Sequence, residues 1–154
     1  HDHLFRLSYC WRWLVYQPVH WLRGLLNIKR LAFFFALFIL TIILLADLGF
    51  LRPVLFLVSR VDYLDKILHF LLIGTLTFLV SSALVEALPS LNPKWVLLSA
   101  VFILAVTFTL EEISQGPIRG RDASWEDLAA NYAGILVFGG LAWLRARKRL
   151  NVVK

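Results

Sequence analysis

One cysteine, no methionine and a charged fraction of only 17% deprive this 154-residue chain of the residues on which several protein classes depend. A single thiol, Cys10, excludes a disulfide framework and any paired-cysteine redox or zinc motif within the chain. The shortage of charge is matched by 60% hydrophobic side chains. An ordinary water-soluble domain is nearer about 45–50% apolar and about 25% charged, so the excess must face something other than water. Disorder is excluded by the aromatic and aliphatic content. A serine nucleophile elbow, a P-loop and an HExxH motif are also missing. With methionine absent, the chain does not start at an initiator residue, and a segment is expected either to precede His1 or to have been trimmed from it.

What is present is apolar length. Four stretches, Leu31–Leu51, Ile67–Leu88, Trp95–Gln115 and Leu128–Leu144, approach the roughly 20 residues needed to cross the hydrocarbon core of a bilayer. They predict an all-α, polytopic integral membrane protein built as a bundle of four transmembrane helices. The first stretch has no A-x-A-like cleavage site and is too long for a signal-peptide core, so it is read as a retained anchor. The chain divides into a cytoplasmic-face arm over residues 1–29, the four-helix transmembrane domain over 30–146, and a basic tail over 147–154.

Charge orients this bundle. Eleven of the 16 lysines and arginines lie in the N-terminal arm, beside Lys94 in the second loop, or after the last span. The positive-inside rule then places both termini in the cytoplasm. The net charge of +6 reads as topology and contact with anionic lipid; nucleic acid is not an expected partner, because the basic residues flank spans instead of lining a soluble face. Residues 4–28 mix Arg6, Arg12 and Arg23 with Trp11, Trp13, Tyr16 and Trp21, the composition of a segment lying in the headgroup layer, with Pro18 expected to kink it. The same aromatics also suit a docking arm for another subunit.

The third and fourth stretches are short in purely apolar terms, so each must continue into its polar flank to span. That extension draws Glu111, Glu112 and Gln115, then Asp127 and Asn131, to the edge of the hydrocarbon. The second span starts in the same manner, with Asp65, Lys66 and His69, and Asp47 lies near the end of the first. Because spans alternate in direction, all of these gather on one side, the outer one by the charge count. Ionisable groups at membrane depth are costly and are candidate functional residues by default.

Spacing supports mutual contact: Asp65 with His69, Glu111 with Gln115, and Asp127 with Asn131 are i,i+4 pairs. Asp65, His69 and Glu112 are the candidates for acid/base chemistry. Gln115, Arg119, Arg121, Asp127 and Asn131 are the candidates for ligand contact. Structural roles compete with these. Ser124 and Asp127 fit a capping box at the start of the last helix, and His69 fits a packed histidine oriented by Asp65. One histidine with carboxylates lacks a zinc signature, so neither metal nor cofactor is expected. Ala129, Ala130, Ala133 and Gly134 form a small-residue face for close helix packing. Glu86 is expected to reach water at the opposite end, Arg52, Arg60 and Asp62 to be solvated loop charges, and phenylalanines such as Phe33, Phe34 and Phe108 to face lipid or pack.

Three of these segments, DKILHFLLIGTL over Asp65–Leu76, EEISQ over Glu111–Gln115 and GRDASWEDLAANYAG over Gly120–Gly134, resemble the VanZ-like family of small bacterial membrane proteins. They occur in the family's order, and the resemblance covers roughly residues 31–145. Glu112, three residues before Gln115, matches the family's glutamate. The resemblance implies a multi-pass protein of a bacterial cytoplasmic or internal membrane, in a family associated with resistance to the glycopeptide teicoplanin. Three functions are compatible with the residues. The first is an outer-leaflet polar pocket for an anionic or amphiphilic envelope molecule. The second is a non-catalytic accessory subunit of a larger bioenergetic or envelope complex, docked through lipid-facing helices and residues 4–28. The third is an acid/base enzyme acting on lipid headgroups, which the residues permit without demanding.

Overall fold

A computed structural model describes residues 27–116 and 124–152, with side chains up to residue 148. The arm up to residue 26, with Cys10 and Pro18, lies outside the described residues, as does the 117–123 loop with Arg119 and Arg121. Five helices follow one another: α1 (Ile28–Asp47), α2 (Arg52–Ser59), α3 (Leu64–Ala87), α4 (Pro93–Gln115) and α5 (Trp125–Val152). No strand occurs among the described residues. All but α2 are long and apolar enough to cross a membrane, so the chain is a multi-pass membrane protein.

Local chemistry sets the helix ends. Asn27 and Asn92 cap α1 and α4, their side-chain oxygens accepting from the amides of Lys29 at 3.1 Å and Lys94 at 3.0 Å. The first span ends at Asp47 and does not run on to Leu51, because Gly49 adopts a left-handed φ of +81°. That conformation lets the Phe50 amide donate to the Leu45 carbonyl at 3.0 Å and the Gly49 amide to Ala46 at 2.9 Å, the paired bonds of a Schellman stop. Pro53 then suits the first turn of α2, so Arg52 heads a short helix instead of sitting in a loop. At the far end of the chain the helix does not stop near residue 146. It continues through the basic residues to Val152, merging the expected tail with α5.

The central helix is α3, which packs against each of the other four and most extensively against α5. All four spans contribute to one apolar cluster: Ile39 of α1, Ile73 and Leu76 of α3, Phe108 of α4 and Ile135 of α5. Outside it, Phe33, Phe34, Phe102 and Leu136 are exposed. Such a surface would be a liability in water and costs nothing against lipid tails.

Close approach of α3 and α5 depends on two glycines. A Cβ at Gly134 would lie 2.5 Å from the Phe70 carbonyl oxygen and 3.1 Å from the Gly74 amide nitrogen, so the two backbones touch there. A Cβ at Gly74 would meet the Phe138 ring at 2.5 Å, and that ring in turn packs edge-on against Phe70 with centroids 5.7 Å apart. Within the expected small-residue face, Gly134 makes this contact, whereas Ala129 and Ala133 are exposed. At the other end of the same helix pair, Arg145 binds Glu86 at 2.9 Å and lies over the Phe78 ring. Glu86 therefore pairs across the interface instead of merely reaching water, since α5 carries a guanidinium to its level.

Gly134→Ala should lower the unfolding free energy in detergent by about 1–3 kcal/mol, the ordinary cost of overpacking. Gly140→Ala, with nothing within 4 Å of the added carbon, should leave the melting temperature unchanged or raise it. Equal melting temperatures for Gly134→Ala and the wild type would contradict the contact.

Candidate functional site

The polar residues converge where α4 ends and α3 and α5 begin. Ser124 precedes α5, and its hydroxyl oxygen accepts from the Asp127 amide at 3.3 Å, half of the expected capping box. The reciprocal half is supplied from another helix. The Ser124 amide donates to Oε1 of Glu112 at 2.8 Å, so the carboxylate that closes the box comes from α4 and not from Asp127. Two forces favour that exchange: the free amides at a helix start attract a carboxylate, and a carboxylate 3% exposed needs donors.

Gln115 consolidates the end of α4. Its side-chain nitrogen donates to Glu111 Oε1 at 2.8 Å and lies 3.5 Å from Glu112 Oε2, as their helical spacing predicts. A second tie between α4 and α5 joins Thr109 Oγ1 to the Tyr132 hydroxyl at 2.7 Å. Neither Thr109 nor Tyr132 stood out in the sequence, although their positions, three residues before Glu112 and one after Asn131, were a usable signal.

On α3 the expected Asp65–His69 couple gives way to two separate contacts. His69 Nδ1 lies 3.1 Å from Asn131 Oδ1, which ties α3 to α5 one turn deeper than the rim. Asp65 instead holds its neighbour Lys66 at 3.1 Å. The same ammonium reaches Glu126 at 3.0 Å and Asp127 at 3.6 Å. Lys66, placed at the rim by the sequence but given no role there, is thus the centre of three carboxylates. Its place between Asp65 and the acidic first turn of α5 was the available signal. The acid/base candidates Asp65, His69 and Glu112 are consequently divided among three different partners: a lysine, an asparagine and a backbone amide.

One polar atom in this region is buried with no partner among the described residues, Nδ2 of Asn131; Oδ1 of Asp127 makes no hydrogen bond but is the oxygen that faces the Lys66 ammonium at 3.6 Å. Asn131 is 1% exposed, so its spare donor lies inside the bundle. An unpaired buried donor or acceptor ordinarily costs about 1–3 kcal/mol. Among the described residues no three of His, Cys, Asp and Glu gather into a metal-holding group.

Comparison with protein-family models, with curated proteins and with solved structures finds no match.

The crosswise cap carries a specific expectation. Glu112→Gln retains an oxygen acceptor for the Ser124 amide and should be tolerated well, whereas Glu112→Leu strands that amide and should cost more. Ser124→Ala should lose about 1 kcal/mol, the usual value of a cap. Thermal unfolding in detergent distinguishes the three, and a Leu variant as stable as the Gln variant would rule out the cross-helix bond.

Proposed function

We propose that this chain is a VanZ-like envelope membrane protein whose polar end recognises the headgroup of an anionic or amphiphilic molecule. The observation that carries the reading is the unsatisfied buried side-chain nitrogen of Asn131 on α5. Most of the polar end is self-paired, Asp127 with Lys66 included, yet a donor on Asn131 is left over beside His69. A purely structural network gains nothing from leaving it so, and a hydroxyl or phosphate oxygen of a headgroup would accept from it.

Arg119 and Arg121 are the anion contacts in this reading, with Gln115, Asp127 and Asn131 contributing polar contacts. The sequence seats both arginines in the seven-residue link between Gly116 and Ser124, whose far end is fastened to Glu112. With both termini cytoplasmic, the site opens in the outer leaflet of a bacterial membrane, where an envelope precursor or antibiotic would be met. The VanZ-like motifs support the envelope assignment, because they are the segments that supply His69, Glu112, Ser124, Asp127 and Asn131.

A second reading, an accessory subunit of a larger membrane complex, draws on α1. Only 11% of its apolar stretch is buried within the chain, which leaves a broad phenylalanine face open to a neighbouring span. The headgroup reading is preferred because lipid alone accounts for such a face, whereas lipid tails do not account for a spare polar donor. An enzyme acting on headgroups has less support, since its acid/base candidates are engaged separately.

The test uses the full chain in neutral detergent, its melting temperature followed as phosphatidylglycerol or phosphatidylcholine is added. Phosphatidylglycerol should raise the wild-type melting temperature more than phosphatidylcholine does, and Arg121→Gln and Asn131→Leu should each reduce that difference. Equal shifts by the two lipids, or an undiminished difference in Arg121→Gln, would refute anionic headgroup recognition.

A further inference from the structure

The helix that the sequence did not announce, α2, has no buried residue. Eight residues at about 1.5 Å each give it roughly 12 Å, far too little to cross a bilayer. Its two ends are nevertheless tied to spans, α1 through the stop at Gly49 and α3 through Tyr63, so it is confined to the face of the membrane that carries the polar cluster. The connection to α3 is conformationally costly. Tyr63 takes a left-handed φ of 62° while its side chain stays exposed, so no packing of the tyrosine itself offsets the strain.

The side chains around α2 are mostly apolar and open. Val54 and Leu57 are exposed on one side of the helix, and Val61 continues that side in the next turn. Phe56 and Ser59 occupy the opposite side. There Arg60 lies over the Phe56 ring at 4.7 Å, a cation–π contact on a ring that stays exposed. Leu48, Phe50 and Tyr63 extend the apolar surface at both ends. Water is a poor solvent for this arrangement, and the neighbouring spans already place lipid beside it.

We infer that α2 is an interfacial helix embedded in the lipid monolayer on the polar side of the bundle. Val54, Leu57 and Val61 enter the acyl region, and Arg60 faces the phosphate layer from above Phe56. A short helix with a cationic polar face and an aliphatic opposite face has the composition that binds at this depth. The occupant of the surface is the lipid itself, argued from its continuity with the lipid-facing spans and from the arginine on the outward side. Through the strained turn at Tyr63, α2 then holds the start of α3, with Lys66 one turn on, at headgroup level. This inference is independent of what the polar end binds.

The experiment is a depth measurement on the full chain in vesicles of phosphatidylcholine and phosphatidylglycerol. Cys10→Ser provides the background for single nitroxide-labelled cysteines introduced as Val54→Cys, Leu57→Cys, Ser59→Cys and Val61→Cys. Labels at 54, 57 and 61 should relax faster with oxygen than with a water-soluble nickel chelate, and the label at 59 should do the reverse. Nickel-dominated relaxation at the three apolar positions would overturn the inference by making α2 a solvated loop. Exclusion of both reagents there would overturn it in favour of a protein cover, such as a second copy. Arg60→Glu should move the Leu57→Cys label toward water, because a carboxylate is repelled by phosphates, while Arg60→Lys keeps it in place. An unchanged ratio in Arg60→Glu would refute the phosphate contact.

Discussion

The first amides of a helix in or near hydrocarbon have no water to bond to, and the polar end of this protein is organised around how α5 meets that need. Ser124 covers one amide with its hydroxyl, and the carboxylate of Glu112 covers another from α4. The second bond reaches across helices, so it also sets their relative height. With Ser124 held against Glu112, Tyr132 comes opposite Thr109, and α5 presents Asn131 toward His69. Using Glu112 for the cap also frees the Asp127 carboxylate to turn toward Lys66, which brings the start of α3 into the same network. One capping requirement thereby joins three spans.

Below this rim, contact rather than hydrogen bonding holds the bundle. Lipid tails are as apolar as the core, so helices associate in membranes by close packing more than by exclusion of water. Gly134 against the Phe70–Gly74 backbone provides the closest approach, and the five-residue apolar cluster fills the layer around it. The Glu86–Arg145 pair closes the far end of the α3 and α5 interface. These two helices are thus fastened at both ends and in the middle. In α1, by contrast, attachment is one-sided and largely apolar. That distribution leaves the polar end as the place where a small rearrangement of side chains can occur without loosening the fold, and it is there that Asn131 retains an unused hydrogen-bond donor.

Much of this was legible from residue order alone, for a physical reason. Hydrocarbon thickness imposes a length on every span, and alternation of direction then decides which ends share a side, so the gathering of Asp65, His69, Glu112, Gln115, Asp127 and Asn131 followed without any knowledge of packing. The Ser124 cap and the helical pairs on α4 were equally readable, because they are local. Partner choice was not. Asp65 was expected to orient His69, yet it holds Lys66, and nothing in a one-dimensional spacing tells which of two neighbouring side chains a carboxylate will take once α5 adds Glu126 and Asp127. The crosswise cap was hidden for the same reason: Asp127 satisfied the local pattern while Glu112 was the residue in position. α2 escaped notice because an apolar run that passes through Gly49 looks continuous until the backbone of that glycine is known.

The account rests on the polar residues being bonded between helices, and the most direct measurement is a double-mutant cycle at His69 and Asn131. Unfolding free energies in detergent or bicelles would be compared for His69→Leu, Asn131→Leu and the double variant. A coupling of about 0.6 kcal/mol or more, the size measured for hydrogen bonds between membrane helices, is predicted. Additive effects, with no coupling beyond about 0.3 kcal/mol, would contradict the claim that these two side chains hold α3 against α5.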